Sequence, residues 1–354
     1  MAMDQARDRR PTVPPMTSLQ AGVATLICLC LAAACASSGG AGQGARGQKT
    51  ADSGAGVVSL TDLPETHRDL WNAYLAAGNS SQDRAAWERA RSEALEDPRL
   101  CAFLVDNLLR QLVRAWDRSQ LAATGHLPGP FERARRELAR LGPLAVPTLV
   151  ELMAMADGSV ALLAADVLAE IGAPALGPTA ALLEREAAAA RRRGAELLGR
   201  LPRGEAAPRR GTGAAEASAE SCSEVALVAA LGRRLLQDTE WVVRAQAARA
   251  LGLRGGNGGQ TGAARSVLGR GLRDEETNVR RESARALAAL RDPRSIPILI
   301  DALERSVIDG QVGELPSLRA ALKSLSGGRD YTSMAQWRQW WSTSGAECVR
   351  NAGY

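Results

Sequence analysis

Val243-Arg244 and Arg249-Ala250-Leu251 return as Val279-Arg280 and Arg285-Ala286-Leu287, each displaced by 36 positions. An internal period of about 20 to 50 residues marks a supersecondary unit that cannot bury its apolar face alone, so that copies must stack on one another. The repeat therefore constrains architecture before it says anything about chemistry. Composition then identifies the kind of unit. Apolar residues make up 45% of the 354-residue chain but aromatic residues only 3%, so the core must be assembled from Ala, Leu and Val. Ala and Leu lose little on entering a helix, and the β-branched and aromatic runs that mark strands are missing. The chain reads as all-α.

A helical pattern runs from 60 to 121, with Trp71, Tyr74 and Leu75 on one face and Phe103, Leu104, Leu108 and Leu112 on another. Gly125, Pro128, Gly129 and Pro130 form a loop before a further helix over 131–141, completing an N-terminal helical region, 60–141. The repeats begin at Gly142-Pro143. Residues 141–152 with 160–172, then Pro178 with Ala195-Glu196-Leu197-Leu198-Gly199, then 223–237 with 239–252, resemble HEAT repeats. Residues 261–290 and the segment from Ser295-Ile296-Pro297 to 326 continue the resemblance. HEAT units are paired antiparallel helices, A and B; helix A often carries a Pro, and helix B opens with Asp and then Val-Arg.

The resemblance implies an α-solenoid of about five HEAT-like hairpins over 142–326. Aligning the openings of helix B at Val160, Ala190, Val243, Val279 and Glu314 gives steps of 30, 53, 36 and 35. The long step contains 202–221, rich in Gly, Ala, Pro and Arg, a composition expected of a disordered insertion. Without those 20 residues the step is 33. Residues 327–354 are expected to form a capping helix, with Trp337, Trp340 and Trp341 sealing the apolar edge of the last repeat.

Asp238 precedes Arg244 by six and Asp274 precedes Arg280 by six, the spacing that in HEAT arrays lets an Asp of one unit meet an Arg of the next. An Asp at the start of helix B can also accept from its first backbone N–H groups. The first unit has Ala161 in the Arg place, and the second keeps Arg191 but has Arg185 in the Asp place. A ladder is therefore expected only between the third and fourth units. With Val243, Ala247 and Leu251 facing the core, Ala245 and Arg249 point away, as do Arg281 and Arg285. Helices B line the concave surface in HEAT arrays, which makes Arg249, Arg281 and Arg285 the expected partner contacts.

The segment 1–35 has the parts of an export signal: Arg7, Arg9 and Arg10, an apolar stretch over 21–34, and small residues around Cys35. Leu31-Ala32-Ala33-Ala34-Cys35 resembles the lipobox of bacterial lipoproteins, which implies lipidation of Cys35 after cleavage. That family prefers Leu where Ala32 stands; cleavage after Ala34 or Ala36 would instead release the chain. Residues 36–59 are Gly-, Ala- and Ser-rich and read as a flexible tether. The expected location is the cell envelope, membrane-anchored, or otherwise periplasmic or secreted.

The net charge is +5, unevenly placed. Residues 142–186 carry 1 basic against 6 acidic side chains, and 187–294 carry 20 against 12. A basic middle suits an acidic partner. The histidines, His67 and His126, lie in separate segments, and no His-Glu-x-x-His, phosphate loop or nucleophile elbow is present. Gly255-Gly256-Asn257-Gly258-Gly259 lacks the preceding strand and the Lys of a phosphate cradle and reads as a loop. Cys101, Cys222 and Cys348 form no framework. These features point to no catalytic, cofactor or metal site and no small-molecule substrate. The expectation is an exported, membrane-anchored, non-catalytic scaffold that binds a protein. Nucleic-acid binding through the Arg-rich surface and an activity like that of the bilin lyases, which share HEAT-like units, are the alternatives.

Overall fold

The computed structural model describes residues 96–122, 129–155, 158–202, 223–256 and 259–353, with isolated helical positions between 65 and 93. The export segment with Cys35, the tether, the stripe of Trp71, Tyr74 and Leu75, both histidines, Cys222 and all of the insertion except Pro202 lie outside the described residues. The chain divides into two compact units, Met1–Asp106 and Asn107–Tyr354. Helix α1 (Pro98–Ala122) runs across that division. In the first unit its Leu100, Phe103 and Leu104 are buried. In the second, Leu108, Leu112 and Ala115 are buried and the Trp116 ring lies 6.1 Å from that of Phe131 in α2 (Gly129–Leu141).

The remaining helices of the second unit pair in chain order: α3 (Val146–Met155) with α4 (Gly158–Ile171), α5 (Leu176–Ala181) with α6 (Ala188–Arg200), α7 (Glu224–Gln237) with α8 (Trp241–Arg254), α9 (Thr261–Gly271) with α10 (Thr277–Ala289), and α11 (Ile296–Ile308) with α12 (Leu315–Leu325). Five hairpins make an all-α solenoid, and no strand is found among the described residues. Local chemistry accounts for the starts. Pro147, Pro297 and Pro316 occupy the first turns of α3, α11 and α12, where a missing N–H costs nothing. Ser223 caps α7 by accepting from the N–H of Ala226.

The second helices share one pattern counted from their first residues. The third position is Val160, Ala190, Val243, Val279 and Ser317, and the eleventh is Leu168, Leu198, Leu251, Leu287 and Leu325. The first four leucines have no exposed surface. Between those positions stand small residues, and α6, α8, α10 and α12 pack side by side through them. A Cβ on Gly252 of α8 would come 2.6 Å from Cα of Ala286 in α10, and one on Gly199 of α6 3.3 Å from Cα of Ala250 in α8. Only glycine permits the first approach.

Two expectations need correction. The fifth second helix opens at Leu315, with Glu314 as its N-cap, so the last step is 38 residues rather than 35; α11, longer than α9, and the turn that follows it take up the extra residues. Ala245 does not point away but is buried, because α8 has α6 and α10 beside it and α7 and α9 against it.

Helix α13 (Met334–Asn351) packs on α11. It opens with a reciprocal cap between Ser333 and Gln336. Trp337 is fully buried, donates from Nε1 to the Tyr331 carbonyl at 3.1 Å and meets that ring edge-on at 4.9 Å. The guanidinium of Arg329 lies 5.0 Å from the centre of the Trp340 ring. Trp340 is also buried, and Trp341 is half-exposed.

Candidate functional site

Three bidentate arginine–carboxylate pairs cross the seams between successive hairpins. Arg191 of α6 donates from Nε and Nη2 to Asp238 at 2.7 and 2.8 Å. Arg244 of α8 does the same to Asp274 at 2.8 and 2.9 Å, and Arg280 of α10 to Glu314 at 2.9 and 3.1 Å. In each case Nη1 donates to two carbonyls five and six residues upstream: Glu186 and Arg185, Thr239 and Asp238, Glu275 and Asp274. Each guanidinium thus fastens the start of its own helix and reaches the start of the next. Asp238 and Asp274 also accept from the N–H of Glu240 and Glu276 at 3.0 and 2.9 Å. Parallel two-bond pairing is the strongest ionic geometry available to arginine.

The ladder therefore runs further than the spacing suggested, from the second hairpin to the fifth. Arg191 was expected to stand outside it because Arg185 fills the Asp place of its own unit, but the acceptor belongs to the following unit. The last rung escaped notice because its carboxylate is a Glu two positions later relative to the helix start; Ser306 also holds this side chain, donating at 2.8 Å. The first seam has no rung, since Ala161 stands in the Arg place. It is tied by Arg200 to Asp166 at 2.5 Å, by Arg193 to the Met153 carbonyl at 2.9 Å, and by Arg185 to Glu151.

Burial alone would push Asp238 up, but Arg191, the Glu240 N–H and Arg234 hold it below its ordinary value. Burial and then Arg280 and Ser306 act in the same opposed way on Glu314, which is also held low. Asp292 is pushed up by burial and pulled lower by Arg294 and Arg265. Glu137 of α2 is the opposite case: burial raises it and Arg140 offsets only part of the rise. Desolvation pushes the half-buried Cys101 thiol up to about 11, which makes it a poor nucleophile.

Part of the basic middle is taken up by intramolecular pairs. Besides the rungs, Arg254 pairs with Glu224 and donates to the Leu198 and Leu201 carbonyls, Arg233 and Arg234 meet Glu184, and Arg265 meets Asp292.

The solvent side of the second helices is the other candidate. At the ninth position stand Asp166, Glu196, Arg249, Arg285 and Lys323, and at the fifth Leu162, Arg192, Ala245, Arg281 and Arg319. Arg249 is exposed and has no ionic partner among the described residues. Arg285 is 61% exposed and pairs on its own helix with Glu282 at 2.5 Å. Arg281 points less freely into solvent than expected: it is half-buried, and its Nε donates to the Gly313 carbonyl of the next hairpin at 2.8 Å. Lys323 and Arg319 were missed because a step of 35 aligns Ala320 with Arg285, whereas the step of 38 brings Lys323 there and Arg319 level with Arg281. Leu162 and Leu253 add exposed apolar surface at 54% and 47%. Among the described residues no group of His, Cys, Asp and Glu is gathered for a metal, and no single helix is long and apolar enough to cross a membrane.

Residues 228–310 match the family of HEAT repeats, a span covering α8, α9, α10, α11 and most of α7. Twenty-six solved chains match the protein. Among them is the structure of human deoxyhypusine hydroxylase in complex with glycerol, 17% identical, with 81% of this chain and 93% of that chain covered and a TM-score of 0.25. A score of that size gives the likeness no weight for this chain's chemistry. No curated protein matches.

Proposed function

We propose that this chain is a non-catalytic HEAT-repeat scaffold that receives a protein partner on the solvent side of its second helices. The observation that carries the reading is the division among the arginines. Those at the rungs are buried and bonded on every nitrogen, whereas Arg249 faces solvent on the same helix as Arg244. A continuous face built from successive helices, with exposed cations and exposed leucines interspersed, is the composition of a protein-docking surface. A nucleic-acid surface needs many cations directed at phosphates, and internal pairs withdraw Arg191, Arg244, Arg254, Arg265 and Arg280 from any such surface.

Export and lipid anchoring through Cys35 complete the proposal, supported by the charged, apolar and small-residue order of 1–35. A photo-reactive amino acid placed at position 249 of the full chain in its own cell is expected to give a protein crosslink, and one at exposed Arg273 none. Crosslinking at neither position contradicts the docking face. Cys35→Ala is expected to move the protein from the membrane to the soluble fraction; a wild-type chain already wholly soluble contradicts the anchor.

A further inference from the structure

The ninth-position row changes sign along the array. It is acidic on the first two second helices, at Asp166 and Glu196, and basic on the last three, at Arg249, Arg285 and Lys323. Arg319, one turn earlier on α12, adds an exposed cation with no ionic partner among the described residues. The partners that Arg285 and Lys323 do have are surface ones: Glu282, and Asp330 at 3.3 Å, with both members of the latter pair more than half exposed. Exposed pairs of this kind contribute little and exchange readily with a competing carboxylate. Resting on the reading of this side as a docking face, we propose that the Arg249–Arg285–Lys323 row seats an acidic polypeptide segment in an extended, polyproline II conformation, with a carboxylate at every third residue.

The conformation follows from spacing. Packed helices lie about 8–10 Å apart, and the missing side chain at Gly252 keeps α8 and α10 close. Equivalent positions on α8, α10 and α12 therefore recur at about that interval. A polyproline II chain rises about 3.1 Å per residue with three residues per turn, which returns a side chain to the same side every ~9 Å. A β-strand returns side chains to one side about every 6.6 Å, out of step with the row. A helix laid across the row would need carboxylates about six residues apart, away from the three- and four-residue spacing that keeps side chains on one of its faces. Leu253, four residues beyond Arg249 and 47% exposed, offers apolar contact to the residues between the carboxylates. The charge step sets polarity and argues for a protein. A polyphosphate long enough to cross the face meets Glu196, and Asp166 beside its partner Arg200, whereas a polypeptide can be acidic over three hairpins only.

The test is fluorescence anisotropy with the full chain and three labelled probes of equal net charge: a Pro-rich peptide with Glu at every third residue, the same composition with Glu at every second residue, and a single-stranded oligonucleotide. The period-three peptide is expected to bind most tightly. Arg249→Glu combined with Arg285→Glu and Lys323→Glu should weaken it by about tenfold or more, since several weak exposed pairs are reversed together. Reversal of Arg270, Arg273 and Arg350, which leave the row intact and change the net charge equally, should weaken it by about threefold or less, the residue of long-range attraction. Far-UV circular dichroism verifies that both variants stay folded, and Arg249→Glu alone repeats the comparison with a smaller perturbation. Equal affinity for the two peptides, preference for the oligonucleotide, or equal losses in the two triple variants overturns the proposal. A crosslinked partner at position 249 whose binding ignores the charge reversal would overturn this inference while leaving the docking face standing.

Discussion

The seam between the first two hairpins and the three seams that follow solve the same packing problem with different chemistry. Beyond the second hairpin each seam carries a buried guanidinium bonded on Nε, Nη1 and Nη2, together with a carboxylate held at the start of the next helix. The first seam has Ala161 at that place and relies on ties such as Arg200–Asp166, whose side chains are 40% and 49% exposed. A buried charge must be satisfied or it destabilises the fold by several kcal/mol, while an exposed pair can be lost almost unnoticed. A buried pair of this kind adds little net stability, because the cost of desolvation offsets the attraction. Such a pair is sensitive to the loss of one partner.

The largest effect that sharpens this contrast is expected from Arg280→Ala, which leaves Glu314 buried without its main counter-charge. We expect a loss of about 3–5 kcal/mol in urea unfolding. Next is Gly252→Val, which forces atoms into the 2.6 Å approach to Ala286 and should cost roughly 1–3 kcal/mol. Its counterpart, Gly158→Ala at the start of α4, meets nothing within 4 Å and should be neutral or stabilise by up to about 1 kcal/mol. The smallest effect belongs to the first seam itself: Arg200→Ala should cost no more than about 1 kcal/mol. A loss there equal to that of Arg280→Ala would abolish the distinction between the seams.

Acid separates the two regions in another way. Asp238, Asp292 and Glu314 are held below their ordinary values in the folded chain. Their stabilisation is therefore fully present above the unfolded values, about 4, and is lost as pH falls through the lower folded values. Glu137 is raised by burial, so its ionisation is a cost at neutral pH that protonation relieves as pH falls through its folded value. Hydrogen exchange, corrected for intrinsic rates, should show α8 to α12 losing protection below about pH 4 before α2 does. Simultaneous loss in both regions would mean that the rungs do not govern acid unfolding.

The fold was legible because small and branched apolar residues recur at the same places in the first four second helices, from Val160 to Leu287. The ladder was legible only where acceptor and donor recur with identical spacing, at Asp238, Arg244, Asp274 and Arg280. Arg191 was hidden because a rung joins one unit to the next and its own unit's Arg185 is irrelevant to it. Glu314 was hidden because a longer side chain, placed nearer the helix, reaches the same guanidinium. That small change of register also concealed Lys323 and Arg319. The half-burial of Arg281 was hidden because helical periodicity shows which way a side chain leaves its own helix but not that the Gly313 carbonyl of the next hairpin lies within reach.

Arg244 and Arg249 lie five residues apart on α8 and are assigned opposite roles, one locking hairpins together and one open to a partner. Thermal unfolding of Arg244→Met beside Arg249→Met removes the same charge from the same helix with the same replacement. Arg244→Met should lower the midpoint by on the order of 10 °C, because Asp274 is left without its bidentate partner. Arg249→Met should leave the midpoint within about 2 °C of the parent, as surface substitutions do. Equal shifts in the two variants, in either direction, would contradict the division of the arginines on which the account rests.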